Sequence, residues 1–170
     1  DVLIPAPGVA PHHRVVVQAL VRNVSVRTEI DIAYEWEQHR SGGPRPILGV
    51  TGTDGKTTTT MIAAALLRGG GRTVGEVGNT DLPFMAAIDQ PFDAFVVECS
   101  SFRLQFTDAF RCDASVWLNL APDHLDWHGS MEKYAGAKRR LWAHSRPSDV
   151  VIAPTNNEMI LDTARATNSR

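Results

Sequence analysis

The chain has 170 residues, 43% of them hydrophobic and 21% charged, with a formal net charge of −2. That is one domain's length with enough apolar material for a core, which excludes a disordered tail, and the near-neutral balance argues against non-specific nucleic-acid binding, which needs a basic field. Cys99 and Cys112 form neither a metal nor a redox spacing, no apolar run approaches membrane-spanning length and no signal peptide is visible, so a reduced, cytoplasmic setting is expected.

The chain opens inside an apolar strand pattern, "DVLIPAPGV", without an initiating methionine, and its last residues, "ARATNSR", are plainly polar. Both ends are expected to belong to something longer. Val2–Ile4 reads as a strand ending in the Pro5–Gly8 turn. Residues 13–22 and 29–38 read as helices, with Thr28 as cap of the second and Asp31 three residues on. Residues 40–46, "RSGGPRP", hold two glycines and two prolines and form the best boundary in the sequence.

Beyond it, strands and helices alternate. Strands are expected at Ile47–Thr51, Thr73–Val77, Ala94–Glu98, Ala114–Leu120 and Val150–Ala153. Helices are expected at Thr57–Arg68, Leu82–Ile88, Met131–Ala143 and from Glu158 onward. Such alternation predicts an α/β fold with a mostly parallel sheet and helices on both faces. Runs such as "AFVVE" and "SVWLNL" suit strands buried on both sides.

"TGTDGKTTTT", residues 51–60, joins a buried-type strand to a helix. The common nucleotide loop places a glycine six positions before its lysine, and here that position is Val50. The ingredients of a phosphate cradle are nevertheless present. Amides at a helix start are unpaired and the helix dipole favours an anion. Gly52 and Gly55 let the backbone close round phosphate oxygens, with Thr53, Asp54 and Thr58 completing the turn. Lys56 is placed to reach the outer phosphates, and Thr57 to offer its hydroxyl to Mg²⁺. A glycine-rich turn with an ordinary surface lysine would carry the same residues. The carboxylate of Asp54 repels a triphosphate, so it is expected to point away.

Further polar residues end other strands, at the edge where open parallel sheets bind ligands. Asn79 follows the second strand after the loop, Glu98, Ser100 and Ser101 the third, and Asn119, Asp123, His124 and Asp126 the fourth. Glu98 and His124 are candidate ligands for a second hard-metal site, although histidine is less typical for Mg²⁺ than oxygen. In "MEKYAGAKRRLWA", Lys138 shares a helix face with Tyr134, Leu141 and Trp142, so it leans inward. A buried ammonium needs an anionic partner or a covalent change. A lysine snorkelling to the surface is the alternative.

"GTDGKTTT", "VVECSSFRLQF", "NLAPDHLDWHGS" and "YAGAKRRLW" together resemble the Mur ligases, the ATP-dependent amino-acid ligases of peptidoglycan synthesis. Their loop, G-T-x-G-K-[ST]-T, has its first glycine where Gly52 stands, which accounts for the missing glycine at 50. Ser100-Ser101-Phe102 with Leu104 is closest to the D-glutamate-adding branch. The resemblance implies that residues 1–44 end an N-terminal, Rossmann-like UDP-substrate domain and its linker. Residues 45–170 would then be most of a P-loop-type central ATP-binding domain, with a C-terminal amino-acid domain lying outside the chain. It implies ATP at residues 52–58, a first Mg²⁺ at Thr57 and Glu98, and a second at His124 supported by a carbamylated Lys138. Asn79, Ser100, Ser101 and His124 would approach the substrate. UDP-N-acetylmuramoyl-L-alanine and D-glutamate are the implied partners, with no nucleic acid, no membrane and a monomeric state expected. Thr80-Asp81 and Arg103 depart from the common pattern. Another Mur ligase, a folylpolyglutamate synthase, or a P-loop NTPase without ligase activity are the rival assignments. The fragment alone is expected to be inactive.

Overall fold

A computed structural model of the chain describes residues 1–167 and 169. The first part forms β1 (Val2–Leu3), α1 (Arg14–Val21), β2 (Ser25–Val26) and α2 (Glu29–Gln38). β1 and β2 pair in parallel as a sheet of their own. No periodicity registers β2, because two residues cannot alternate.

The second part runs β3 (Ile47–Thr51), α3 (Lys56–Gly69), β4 (Val74–Gly78), α4 (Phe84–Ala87), β5 (Ala94–Glu98), α5 (Ser101–Leu104), β6 (Ala114–Trp117), α6 (Leu125–His128), α7 (Met131–Arg139), β7 (Val150–Ile152) and α8 (Glu158–Arg165). A single 3₁₀ turn, Arg140–Trp142, extends α7. The five strands β3–β7 form one parallel sheet in the order β4-β5-β3-β6-β7. Every residue of β5 is buried, as its unbroken apolar run requires.

Side chains alternate between two cores. Ile47, Phe95 and Val97 share one buried core with Tyr34 of α2, Phe84 of α4, Leu104 of α5 and Ile160 of α8. Val50, Val74 and Val96 face α3 through Ala64. The chain leaves β3 towards β4 on one side and β6 towards β7 on the other. The adjacent strands β3 and β6 therefore form a topological switch point, where the crevice beyond the strand ends accepts ligands.

Two expectations are corrected. The strand expected at 114–120 stops at Trp117: Leu118 still donates to the last residue of β3, but Asn119 and Ala121 turn to pair with the loop after β3. The hydroxyl of Thr28 caps nothing and is buried without a partner. Asp31 serves tertiary structure instead: Oδ1 accepts the backbone N–H groups of Asp108, Ala109 and Phe110 at 3.0, 2.8 and 2.8 Å. A local capping pattern cannot distinguish this, since a carboxylate with three inward donors looks the same in sequence as one that caps its own helix. α2 is tied to the main sheet a second time by Arg45, whose guanidinium pairs with buried Glu37 at 2.6 Å and donates to the carbonyls of Ile88 and Gln90.

Candidate active site

The sheet edge at the ends of β3, β5 and β6 gathers the candidate residues. The loop between β3 and α3 turns sharply at Gly55, whose φ of +80° is left-handed and suits glycine. Gly52 lies so close to β6 that a Cβ would meet Leu118 Cβ at 3.1 Å. The loop's amides divide into two sets. Those of Thr53 and Asp54 donate to Oδ1 of Asn119, both at 2.9 Å. Those of Gly55, Lys56, Thr57 and Thr58 have no partner among the described residues. An anion at this helix start therefore has four free donors, from Gly55 to Thr58, and Asp54 supplies none of them. Asp54 and Thr57 are exposed.

Lys56 folds back over the loop, donating to the Thr53 carbonyl at 2.7 Å. Lys138 lies underneath. It is 1% exposed, shares its buried face with Tyr134, Leu141 and Trp142, and donates to the Gly52 carbonyl at 2.6 Å. Its ammonium also sits 4.6 Å from the centre of the Tyr134 ring. Burial, and then the charge of Lys56, push the Lys138 pKa down to about 7. The inward face deduced from spacing is therefore the face observed.

Glu98 ends β5 and is 2% exposed. Its Oε1 accepts from Nδ2 of Asn79 at 3.0 Å, and the Asn79 amide donates to the Glu98 carbonyl at 2.9 Å. Its Oε2 is buried with no partner. An ionised oxygen in that state is costly unless something satisfies it. A hard divalent cation, which takes carboxylate, hydroxyl, water and phosphate oxygens, fits that vacancy in bonding.

His124 adopts a left-handed φ of 50°, a strained state for a non-glycine residue and one met disproportionately at functional sites. Its Nε2 lies 3.2 Å from Asp123 and its ring packs on Phe102 at 4.6 Å. Each of the four groups expected to hold metals has its own setting: Thr57 is exposed, Glu98 accepts from Asn79, His124 lies beside Asp123 and Lys138 donates to the Gly52 carbonyl. No three His, Cys, Asp or Glu side chains among the described residues cluster as a metal site.

Ser100 caps α5, its hydroxyl accepting from the Arg103 amide at 3.3 Å. Ser101 is buried and its hydroxyl is turned inward, 2.9 Å from Nε2 of His128. That contact ties the start of α5 to α6 from inside. Two side chains to which the sequence assigns no specific role, Asn119 at the sheet edge and His128, are central here. Asn119 binds the loop, and His128 anchors α6 to α5. Their sequence signal was position alone, one at a strand end and the other in "DWHG". Arg103 pairs with Glu29 at 2.8 Å, linking α5 to α2.

Residues 50–170 match the Mur ligase middle domain. The UDP-N-acetylmuramoylalanine–D-glutamate ligase of Mycolicibacterium vanbaalenii is 42% identical over 141 residues, 82% of this chain and 29% of that protein. Its counterpart in Frankia casuarinae is 37% identical over 170 residues, 99% of this chain and 35% of that protein. The chain thus spans about a third of the length of these relatives. The fold is similar to MurF ligase from Thermotoga maritima in complex with ADP, with a TM-score of 0.64 at 21% identity, covering 90% of this chain and 42% of that one.

Proposed function

This chain belongs to the Mur ligase family, and from that premise we propose that the protein carrying it is an ATP-dependent ligase that joins D-glutamate to UDP-N-acetylmuramoyl-L-alanine. The observation that carries the ligase reading is the buried, unpartnered Oε2 of Glu98 at the same sheet edge as the free amides of Gly55–Thr58. The D-glutamate assignment rests on the names of the relatives and on the Ser100–Leu104 segment. Residues 1–44 would belong to the UDP-substrate domain and 45–170 to the ATP-binding domain.

In this reading the substrate carboxylate attacks the γ-phosphorus of ATP. The bond to the bridging oxygen breaks, ADP leaves and an acyl phosphate forms. The amine of D-glutamate then attacks the acyl carbon, inorganic phosphate leaves, the nitrogen loses a proton and the amide remains. Two anions meet in the first step, so charge neutralisation and positioning dominate. The amides of Gly55–Thr58 hold the phosphates. Lys56, released from the Thr53 carbonyl, swings to the transferring phosphoryl group. Asn79 and Ser100 orient the muramoyl-alanine end, and Ser101 backs them from inside.

Two Mg²⁺ ions would supply electrostatic stabilisation of the phosphates, one held by Thr57 and Glu98, the other by His124 and Lys138. As an ammonium Lys138 cannot ligate a cation. Its lowered pKa leaves much of it as neutral amine near neutrality, and that amine can add CO₂, forming an N–C bond and losing a proton. The resulting carbamate is an oxygen ligand.

Release of ADP and phosphate by the full-length protein tests the reading. Turnover is expected with UDP-N-acetylmuramoyl-L-alanine plus D-glutamate. Turnover only with L-lysine, with diaminopimelate, or with a folate and L-glutamate would overturn the substrate assignment. ATP hydrolysis indifferent to any amino acid would overturn the ligase.

A further inference from the structure

The amides of the loop after β3 are sorted by one side chain. Oδ1 of Asn119 accepts from both Thr53 and Asp54 at 2.9 Å, and Nδ2 of the same carboxamide donates to the Asp54 carbonyl at 3.1 Å. The next four amides are left free. We infer that Asn119 is a positioning residue for the phosphate loop: it withdraws two amides and one carbonyl from the ligand side and so fixes Gly55–Thr58 with their donors outward. The inference deepens the nucleotide-binding reading and rests on it.

The residue type follows from the task. A carboxamide offers an acceptor with two lone pairs and a donor at the same short reach. An aspartate would keep the acceptors but set a carboxylate oxygen against the Asp54 carbonyl and place a negative charge behind bound phosphates. A serine has neither the reach nor a second polar atom.

Asn119 is itself held from below. The Leu118 amide donates to the Thr51 carbonyl at 2.9 Å, carrying the β3–β6 ladder one step further. The buried Trp117 indole donates to the Asn119 carbonyl at 3.0 Å, and that carbonyl also accepts from the Thr53 amide at 3.2 Å. Two residues on, Ala121 exchanges hydrogen bonds with the Thr53 hydroxyl, its N–H donating at 2.9 Å and its carbonyl accepting at 3.2 Å. Gly52 permits the approach, since a Cβ there would come within 3.3 Å of Asn119 Oδ1. The loop is zipped to the end of β6 through residues 53 and 54, and the amides of Gly55–Thr58 are left without acceptors among the described residues.

In the full-length protein, Asn119→Ala is compared with wild type by amide hydrogen exchange over residues 53–58 and by titration with MgADP. Loss of three side-chain hydrogen bonds should speed exchange at Asp54 about tenfold or more, and less at Thr53, whose amide keeps the backbone carbonyl of residue 119, and should weaken MgADP about tenfold or more. KM for the carboxylate substrate should stay within about twofold. A merely structural role would lower the melting temperature and leave MgADP affinity alone. Asn119→Asp retains both amide acceptors, so its exchange at 53 and 54 should stay near wild type while MgADP weakens about threefold or more. If Asn119→Ala does not fold, Asn119→Asp decides, and MgADP affinity within about twofold of wild type overturns the inference. So does an Asn119→Ala protein with exchange and affinity both near wild type. A wild type that binds no MgADP overturns the nucleotide reading instead, and loop exchange still decides the role of Asn119.

Discussion

The ammonium of Lys138 donates to the carbonyl of Gly52 at 2.6 Å, so a lysine from α7 props the phosphate loop from beneath. The same amine is the proposed site of carbamylation. Labelled bicarbonate should give a carbamate resonance in wild type that is absent from Lys138→Ala. That variant of the full-length protein should lose about 10²-fold or more in turnover, the scale of losing one electrostatic group. Short carboxylic acids should restore part of the rate by filling the space with an oxygen ligand. A Lys138→Ala protein fully active without added acid would return the lysine to a purely structural role.

Glu98 poses stability against function. Its Oε2 is buried without a partner, and an unsatisfied buried oxygen costs about 1–3 kcal/mol, more when charged. Glu98→Gln removes the charge and keeps the shape. The metal-free variant should melt higher than wild type, while Mg²⁺-dependent turnover should nearly vanish. Equal loss of stability and activity would mean that the carboxylate serves the fold.

Much of this arrangement was legible in the residues. The strand–loop–helix at 47–69 needs only an apolar run followed by Gly and Lys, because the strand is a largely buried run and the helix is long enough to show its period. Lys138 facing inward followed from helical spacing to Tyr134, Leu141 and Trp142. The short helices α5 and α6 were not legible. Four residues make barely one turn and carry no periodicity, and they exist because Ser100 caps one and the His128–Ser101 contact docks the other. The pairing of Asn119 with the loop joins residues 65 and 66 positions apart. No local pattern encodes it, since it depends on β3 and β6 being neighbours in the sheet.

Lys56 is bonded to its own loop rather than to an acidic side chain. Lys56→Ala should therefore change the melting temperature little, because a partly exposed lysine bonded to a carbonyl contributes modestly. Turnover should fall about 10²-fold or more through loss of a cation on the transferring phosphoryl group. MgADP should bind less weakened than MgATP, since the outer phosphate is the one Lys56 is proposed to meet. Equal weakening of both nucleotides would place the lysine elsewhere.

His128 supplies a pH dependence of stability. Burial pushes its pKa down from 6.5 to about 4, with the charges of His124 and Lys138 adding to the effect and Asp126 opposing it. Above pH 6.5 the imidazole is neutral in both folded and unfolded chains and has no influence. Between 6.5 and about 4 the unfolded chain takes up a proton that the folded one refuses, so stability falls as the pH falls through that window. Below about 4 both states are protonated and the loss levels off. Denaturant unfolding across this range separates the histidine from the carboxylates that also titrate in acid, provided wild type is compared with His128→Phe. The phenyl ring keeps the packing against Phe102, which lies 5.8 Å from the His128 ring and nearly parallel to it, but cannot titrate. Wild type should lose more stability than His128→Phe on going from pH 6.5 towards 4. Parallel curves for the two proteins would show that the buried imidazole is protonated as readily in the folded state as in the unfolded one.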